Sequence, residues 1–413
     1  MCIKSRIKSS LDRLEAYLDD TDLKGYDPYD ALNSKILARL AFNKRILRLI
    51  YTQALKKLPI NLRPLLGIRK DYNPKGLGLF LTAYLKLYSL YRTEKYLQRI
   101  KNIICILEKV KSDGYSGYCW GYNFDWQGEV DIFPKGTPTI VNTAFIAHSF
   151  LDAYERFGEN KFFEIARSSC NFILDDLFIF ESNDSICFSY TPINKTKIHN
   201  ANVLGAALLA RVYSISNEAR LMEYARKAVN YTVDRQSEDG AWYYGENEGE
   251  DGYWRNGING IDRQNDDNYT GFVSYIDSYH TGFVLESLLM YTRFTRDLTY
   301  IENIKRGLEF FENHFFLKDG TPKYYHNKVY PIDIHASAQA IITLVKSSEI
   351  REHNRLLQKV ACWMIDNMQS KWNYFYYRKG RFFYNKIPYI RWAQAWAFSA
   401  LTTYYQYLQT SRK

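Results

Sequence analysis

The sequence predicts an all-α protein, a closed ring of six helical hairpins of the (α/α)6 toroid type, and three observations carry that prediction. Six segments recur 55 to 80 residues apart, each with a polar or aromatic start, then small residues, then a stretch apolar on nearly every face. Amphipathic stretches with charged faces lie between them. The ends of those stretches echo one Asp-Gly turn. A helix apolar all round is a buried helix. One hairpin cannot cover such a helix alone, so neighbours stack and the ring closes.

Taken in order, the N-terminal part reads as helical over 10–20 and 30–58 and supplies a sixth outer partner. The inner helices begin as "NPKGLGLFLTAYLKLY" at Asn73, "VNTAFIAHSFLDAY" at Val141, "HNANVLGAALLARVY" at His199, "YHTGFVLESLLMYT" at Tyr279, "IHASAQAIITLV" at Ile334 and "RWAQAWAFSALTTY" at Arg391. Outer amphipathic helices are expected over 94–111, 159–176, 217–235, 297–315 and 349–369, with Ala166, Ala225 and Ala361 at matching points. Strand-like alternation is confined to loops such as "SICFSY" and "RFFYNK". The chain divides into residues 1–70, a helical segment packing on the ring and basic from residue 35, and residues 71–413, the toroid.

Composition narrows the class. Apolar residues make up 46% of 413, enough for a large core, and aromatic residues 16%, led by 36 tyrosines. Tyr and Trp in such numbers suit cavities that stack sugars, and equally suit wet packing interfaces. Six scattered cysteines without a CxxC pair read as reduced thiols, and with no secretory leader pattern the expected location is cytoplasmic. No apolar run of about 18 residues is present to span a membrane. The net charge is +10, and the segment from Lys35 to Lys70 holds ten Lys/Arg and no Asp or Glu, which equals the whole excess. A nucleic-acid partner is not expected, because no basic stripe recurs and no nucleic-acid motif is present. The basic segment itself, apolar at Leu37, Leu40, Leu47, Tyr51, Leu55 and Leu58, reads either as an amphipathic helix peripheral to an anionic membrane face or biosynthetic complex, or as an outer helix with a solvated basic side.

"KAVNYTVDRQSEDGAW" (227–242) looks at first like a catalytic loop. Eroded copies recur: Lys101 precedes Asp113-Gly114, Arg306-Gly307 precedes Asp319-Gly320, and Gln369 precedes Trp372. A feature echoed at each outer-helix end is a corner, in which Asp-Gly supplies the turn and the aromatic packs across it.

Chemistry is expected where the inner helices begin. Aligning Phe150-Leu151, Leu208-Leu209, Leu288-Leu289, Thr343-Leu344 and Ala400-Leu401 brings Asn142, Asn200, His280, His335 and Trp392 into register, with Val141, His199, Tyr279, Ile334 and Arg391 one residue earlier. Unpartnered polar groups cost on the order of 1–3 kcal/mol each when buried, so a polar ring here points to a ligand cavity. Asp277 and Asp333 stand just upstream, as N-caps or as carboxylates that orient the imidazoles of His280 and His335 for acid–base work. Arg391 is a candidate clamp for a carboxylate or phosphate. Trp392, Trp396, Trp120, Trp126 and Tyr279 are candidate stacking surfaces. The long loops 117–138 and 245–275 feed the same mouth and offer Asp125, Asp262, Asp266 and Asp267 as acids. His148, in mid-helix, reads as a core residue.

No metal and no cofactor are expected. His199, His280 and His335 lack an HExxH motif, and no cysteine stands at an inner-helix start, as it does in the lanthionine-cyclase type of toroid. Asp19-Asp20-Thr21-Asp22 lies before the ring, which argues against isoprenoid cyclisation.

Residues 227–242 resemble the QW repeat of squalene–hopene-type cyclases. The runs "NLRPLLGIRKDYNPKGLGLFLTAYLKLY", "GYCWGYNFDWQ", "KGTPTIVNTAFIAHSFLDAYE" and "IPYIRWAQAWAFSAL" resemble the VpsJ-like proteins of exopolysaccharide biosynthesis, over about residues 26–408. Such proteins are sometimes named delta-aminolevulinic acid dehydratases, but that enzyme's TIM-barrel alternation of strand and helix is missing here. The resemblance implies a part in making exopolysaccharide or capsule and transfers no catalytic residues. The layout is also similar to six-hairpin glycosidase-like enzymes, namely hydrolases, lyases and sugar epimerases. Together these imply a carbohydrate-active protein whose partner is a polysaccharide or oligosaccharide, an acidic one among the candidates. The alternatives are a non-catalytic glycan-binding or assembly subunit and, behind it, an isoprenoid cyclase-like enzyme.

Overall fold

A computed structural model describes residues 2–128, 131–246 and 275–410. Six helices form the inner ring: α4 (Pro74–Tyr91), α6 (Ile140–Phe157), α8 (His199–Ser216), α10 (Ser278–Thr295), α12 (Ile334–Lys346) and α14 (Trp396–Thr410). Each packs on the next, and α14 packs on α4, so the ring closes. Outside it lie α5 (Glu94–Lys109), α7 (Asn160–Asn171), α9 (Ala219–Val233), α11 (Ile301–His314) and α13 (Asn354–Met368). The sixth outer place is taken by α1 (Ile3–Thr21), the first helix of the chain, which packs against α14, the last, and against α13.

Each inner helix hands over to its outer partner in a short turn. Four of these turns hold one residue in the left-handed region, Arg92, Gly158, Asn217 and Arg296 (φ from 54° to 73°), whose amide reaches back to the last helical turn. The return from outer to inner helix is longer and carries small strands: β1 (Trp126–Gln127) with β2 (Ile132–Phe133), β3 (Ile179–Ser182) with β4 (Ser185–Thr191) and β5 (Asn194–Lys197), and β6 (Ile332–Asp333) with β7 (Arg378–Lys379) and β8 (Tyr384–Asn385). All pair antiparallel. These loops surround the N-terminal ends of the inner helices, and that end is the mouth of the toroid.

The corners do what the sequence pattern implies. The Gln236 amide donates to the carbonyls of Gly240 and Asn303 at 3.0 and 2.9 Å and accepts from Asn303 and Arg306 at 2.9 and 3.0 Å, tying the end of α9 to α11. Trp242 donates to the Thr232 carbonyl at 2.9 Å and packs where a Cβ on Gly307 would fall 2.5 Å from its ring. Gln369 repeats the joint between α13 and α1, accepting from Ser10 Oγ at 2.8 Å and donating to its carbonyl at 2.9 Å. There the packing aromatic is Phe375, while Trp372 is exposed.

The basic segment is not one helix. It forms α2 (Lys35–Leu40) and α3 (Arg45–Lys57), broken where Phe42 and Asn43 both take positive φ, 46° and 56°. Leu37 and Leu55 are buried in a small satellite core, whereas Leu40 and Leu58 are exposed. Among the described residues no helix is long and apolar enough to cross a membrane.

Candidate functional site

Local folding rules put polar groups at the mouth. Asn73, Thr139, Asp277 and Asp333 each cap an inner helix by accepting a backbone amide two or three residues on. Asp277 is the most informative. Its Oδ1 accepts the His280 amide at 2.9 Å, and its Oδ2 accepts the His280 Nδ1 proton at 2.6 Å. That bond fixes one tautomer and leaves Nε2 as a base. His280 keeps 16% of its side-chain exposure while Asp277 keeps none. The histidine lines a small pocket with Asn200, Trp242, Tyr243, Tyr244, Asp277, Thr281 and Val284.

Beside it stands an aromatic stack. Tyr279 lies 4.0 Å from His280 and 4.3 Å from His335 between ring centroids, and Trp396 closes the other face of His335 at 4.3 Å. Trp392 meets His335 edge-on at 5.1 Å. Burial pushes the His335 imidazole well below the usual histidine range, helped by nearby Lys75, Arg391 and Arg378. Both its ring nitrogens lack a hydrogen-bond partner among the described residues.

Asp333 is committed in another direction. Its oxygens accept from Arg378 Nε at 2.6 Å, Trp392 Nε1 at 2.9 Å and the His335 amide at 2.9 Å. Arg391 and Trp392 come from a π-helical turn, Ile390–Ala395, that precedes α14. The Arg391 guanidinium is held in bidentate fashion by Asp27 at 2.7 and 2.9 Å, so its fork is already filled.

The remaining expected residues lie at varying distances from this centre. Asn142 is buried, and among the described residues its amide oxygen and nitrogen both lack partners, as does Asn200 Oδ1. His199 turns toward the outer layer, 6.1 Å from Tyr231; burial, with Arg235 nearby, pulls its imidazole down to about 3. Trp120 is a corner residue, donating to the Leu107 carbonyl at 2.8 Å and stacking on Phe150. Trp126 stacks on Phe133 at 4.0 Å in the β1–β2 hairpin, and neighbouring Asp125 accepts the Lys135 amide at 2.6 Å. His148 is buried beside Arg211, its Nε2 without a partner among the described residues. Asp262, Asp266 and Asp267 fall outside the described residues.

Sequence reasoning missed Asp27, Arg378 and Lys75. Asp27 and Arg378 are brought in by loops from other parts of the chain. Lys75 had a visible signal, a cation inside the apolar run "PKGLGLFL", at the same place after its helix cap as His335.

The fold is that of six-hairpin glycosidase-like enzymes, in which several sugar-processing activities occur. A sugar epimerase from a ruminal bacterium aligns with a TM-score of 0.65 at 10% identity, over 99% of both chains. Cellobiose 2-epimerase from Bacillus thermoamylovorans gives 0.62 at 11% identity, covering 84% of this chain and 90% of that one. An unsaturated glucuronyl hydrolase specific for heparin gives 0.59 at 14% identity, covering 84% and 89%. No protein-family model matches the sequence, and no curated protein matches it.

Proposed function

We propose that this protein acts on a saccharide by histidine acid–base chemistry, with His280 as the base that takes a proton from a sugar carbon, as an epimerase or isomerase requires. The observation that carries this reading is the Asp277–His280 pair: a buried carboxylate orients the imidazole, and the imidazole lines the pocket. Glycosidic cleavage asks instead for a carboxylic acid free to protonate the leaving oxygen. Asp277 and Asp333 have their oxygens engaged by His280, Arg378 and Trp392. Tyr279, Trp392 and Trp396 supply stacking faces, Asn142 and Asn200 supply hydrogen bonds, and His335 is the second imidazole of the site. The epimerases among the structural neighbours are compatible with this chemistry, as are the hydrolases with its substrate class.

In this reading the saccharide belongs to exopolysaccharide or capsule production, on the strength of the VpsJ-like sequence runs. The 1–70 segment then does double service, closing the ring through α1 and meeting a membrane or biosynthetic complex through α2 and α3. Ile36, Leu40, Phe42, Ile46 and Ile50 are exposed there among Lys35, Arg39, Lys44 and Arg45, the mixture an anionic lipid surface takes up. The same patch favours the second reading, a glycan-binding subunit of the assembly machinery.

Proton NMR of the protein incubated with free sugars and oligosaccharides in D2O separates these readings. Deuterium wash-in at a ring carbon is the expected result. New reducing ends would make it a hydrolase, a 4,5-unsaturated signal a lyase, and line broadening without product a binder.

A further inference from the structure

Around the mouth, cations and carboxylates are matched almost one to one. Arg63 holds Asp30 at 2.7 Å, Arg391 holds Asp27 and Arg378 holds Asp333, while Asp277 accepts the His280 Nδ1 proton. Lys75 is left over. It is 3% exposed, on the first turn of α4, and has no hydrogen-bond or ion-pair partner among the described residues. Its Nζ lies 4.5, 5.2 and 5.4 Å from the ring centroids of Phe145, Phe283 and Trp396. Two of those rings flank the histidines: Trp396 stacks on His335 at 4.3 Å, and Phe283 lies 5.7 Å from His335 and 5.9 Å from His280.

Resting on the saccharide reading above, we infer that Lys75 selects an anionic saccharide, its ammonium pairing with a carboxylate or phosphate on the sugar while the ring lies against the same aromatics that flank His280 and His335. Three aromatic faces stabilise an ammonium partly but satisfy none of its three donors. An oxyanion would satisfy them and supply the missing counter-charge in a place where water competes poorly. Burial, with Arg391 nearby, holds the amine well below its ordinary range. An incoming anion offsets that cost by favouring the charged amine. The bidentate role that the sequence offers to Arg391 is closed by Asp27, whereas Lys75 stays open among the described residues.

Isothermal titration with glucose, glucuronate and glucose 6-phosphate tests this on the full chain. The expected result is binding of at least one acidic sugar about ten- to a hundred-fold more tightly than glucose, the size of one charge-assisted contact. Lys75→Met should erase that preference, and Lys75→Arg should keep part of it. Whichever acidic sugar binds better identifies the anion. Equal affinity of the wild-type protein for glucose and both acids would overturn the inference while leaving the histidine chemistry standing. So would a folded Lys75→Met protein that keeps the preference. Failure of every sugar to bind would overturn the saccharide reading and this inference with it.

Discussion

The Asp277 carboxylate serves two partners at once. One oxygen caps α10, and the other holds His280 Nδ1, so a single residue fixes both the helix start and the imidazole at the pocket. Asp277→Asn keeps an oxygen for the cap but presents an NH2 donor to a nitrogen that must itself donate. Turnover should fall by about 10²- to 10⁴-fold, the range attached to a positioned general base, with stability changed by about 1 kcal/mol or less; steady-state rates and a melting curve check both. The residues on this face were legible because a register repeats: Tyr279, His280, His335 and Trp392 follow from aligning inner-helix starts, and Asp277 and Asp333 stand just upstream of them. The partners that decide their chemistry were not. Asp27 is separated from Arg391 by 364 positions, and only the closed ring brings them together. Trp242 also blurs a line the sequence draws sharply: it is a corner residue that also lines the His280 pocket.

Elements in this fold are joined by a repeated corner rather than by long sheets. Gly240 takes φ of +93°, and a Cβ there would stand 2.5 Å from the Arg306 carbonyl oxygen of α11. Gly240→Val therefore meets both backbone strain and a clash with the next hairpin, and should destabilise the protein by about 2 kcal/mol or more, read as a lowered urea midpoint. Helix positions and types were legible because burial on all faces and charge on one face are different patterns. What hid at this scale was the break at Phe42–Asn43, since the apolar spacing of the basic segment continues across it. Only the positive φ values there turn one apparent helix into α2 and α3.

At the scale of the whole molecule, ring closure is the property on which stability depends. The last inner helix finds its outer partner in α1, at the opposite end of the chain, which carries a buried seam of Ile7, Leu11, Leu14 and Leu18 and is tied to α13 through Ser10–Gln369. Deleting residues 1–22 should leave α14 uncovered and yield an aggregating or molten protein, seen as lost near-ultraviolet circular dichroism. Acid acts on the molecule in two stages. The unfolded chain protonates its histidines near 6.5, whereas folded His199 does so only near 3 and folded His335 well below 6.5. Below 6.5 the unfolded state thus binds more protons, and stability falls as pH falls. Glu286, paired with Lys346, and Asp152, paired with Arg211, have lowered values, so their contribution persists until pH drops through the carboxylate range. Melting temperature should decline between pH 7 and 5, less steeply in His199→Gln, and fall again below pH 4.

The central claim is that the Asp277–His280 pair moves a proton at a sugar carbon. The most direct measurement is deuterium incorporation from D2O into saccharide, followed by proton NMR, for wild-type protein and for His280→Ala with an unchanged melting curve. Wash-in by the wild type, abolished in the variant, is the predicted result. Equal wash-in by both proteins, or conversion of saccharide by the wild type with no wash-in at all, would contradict it.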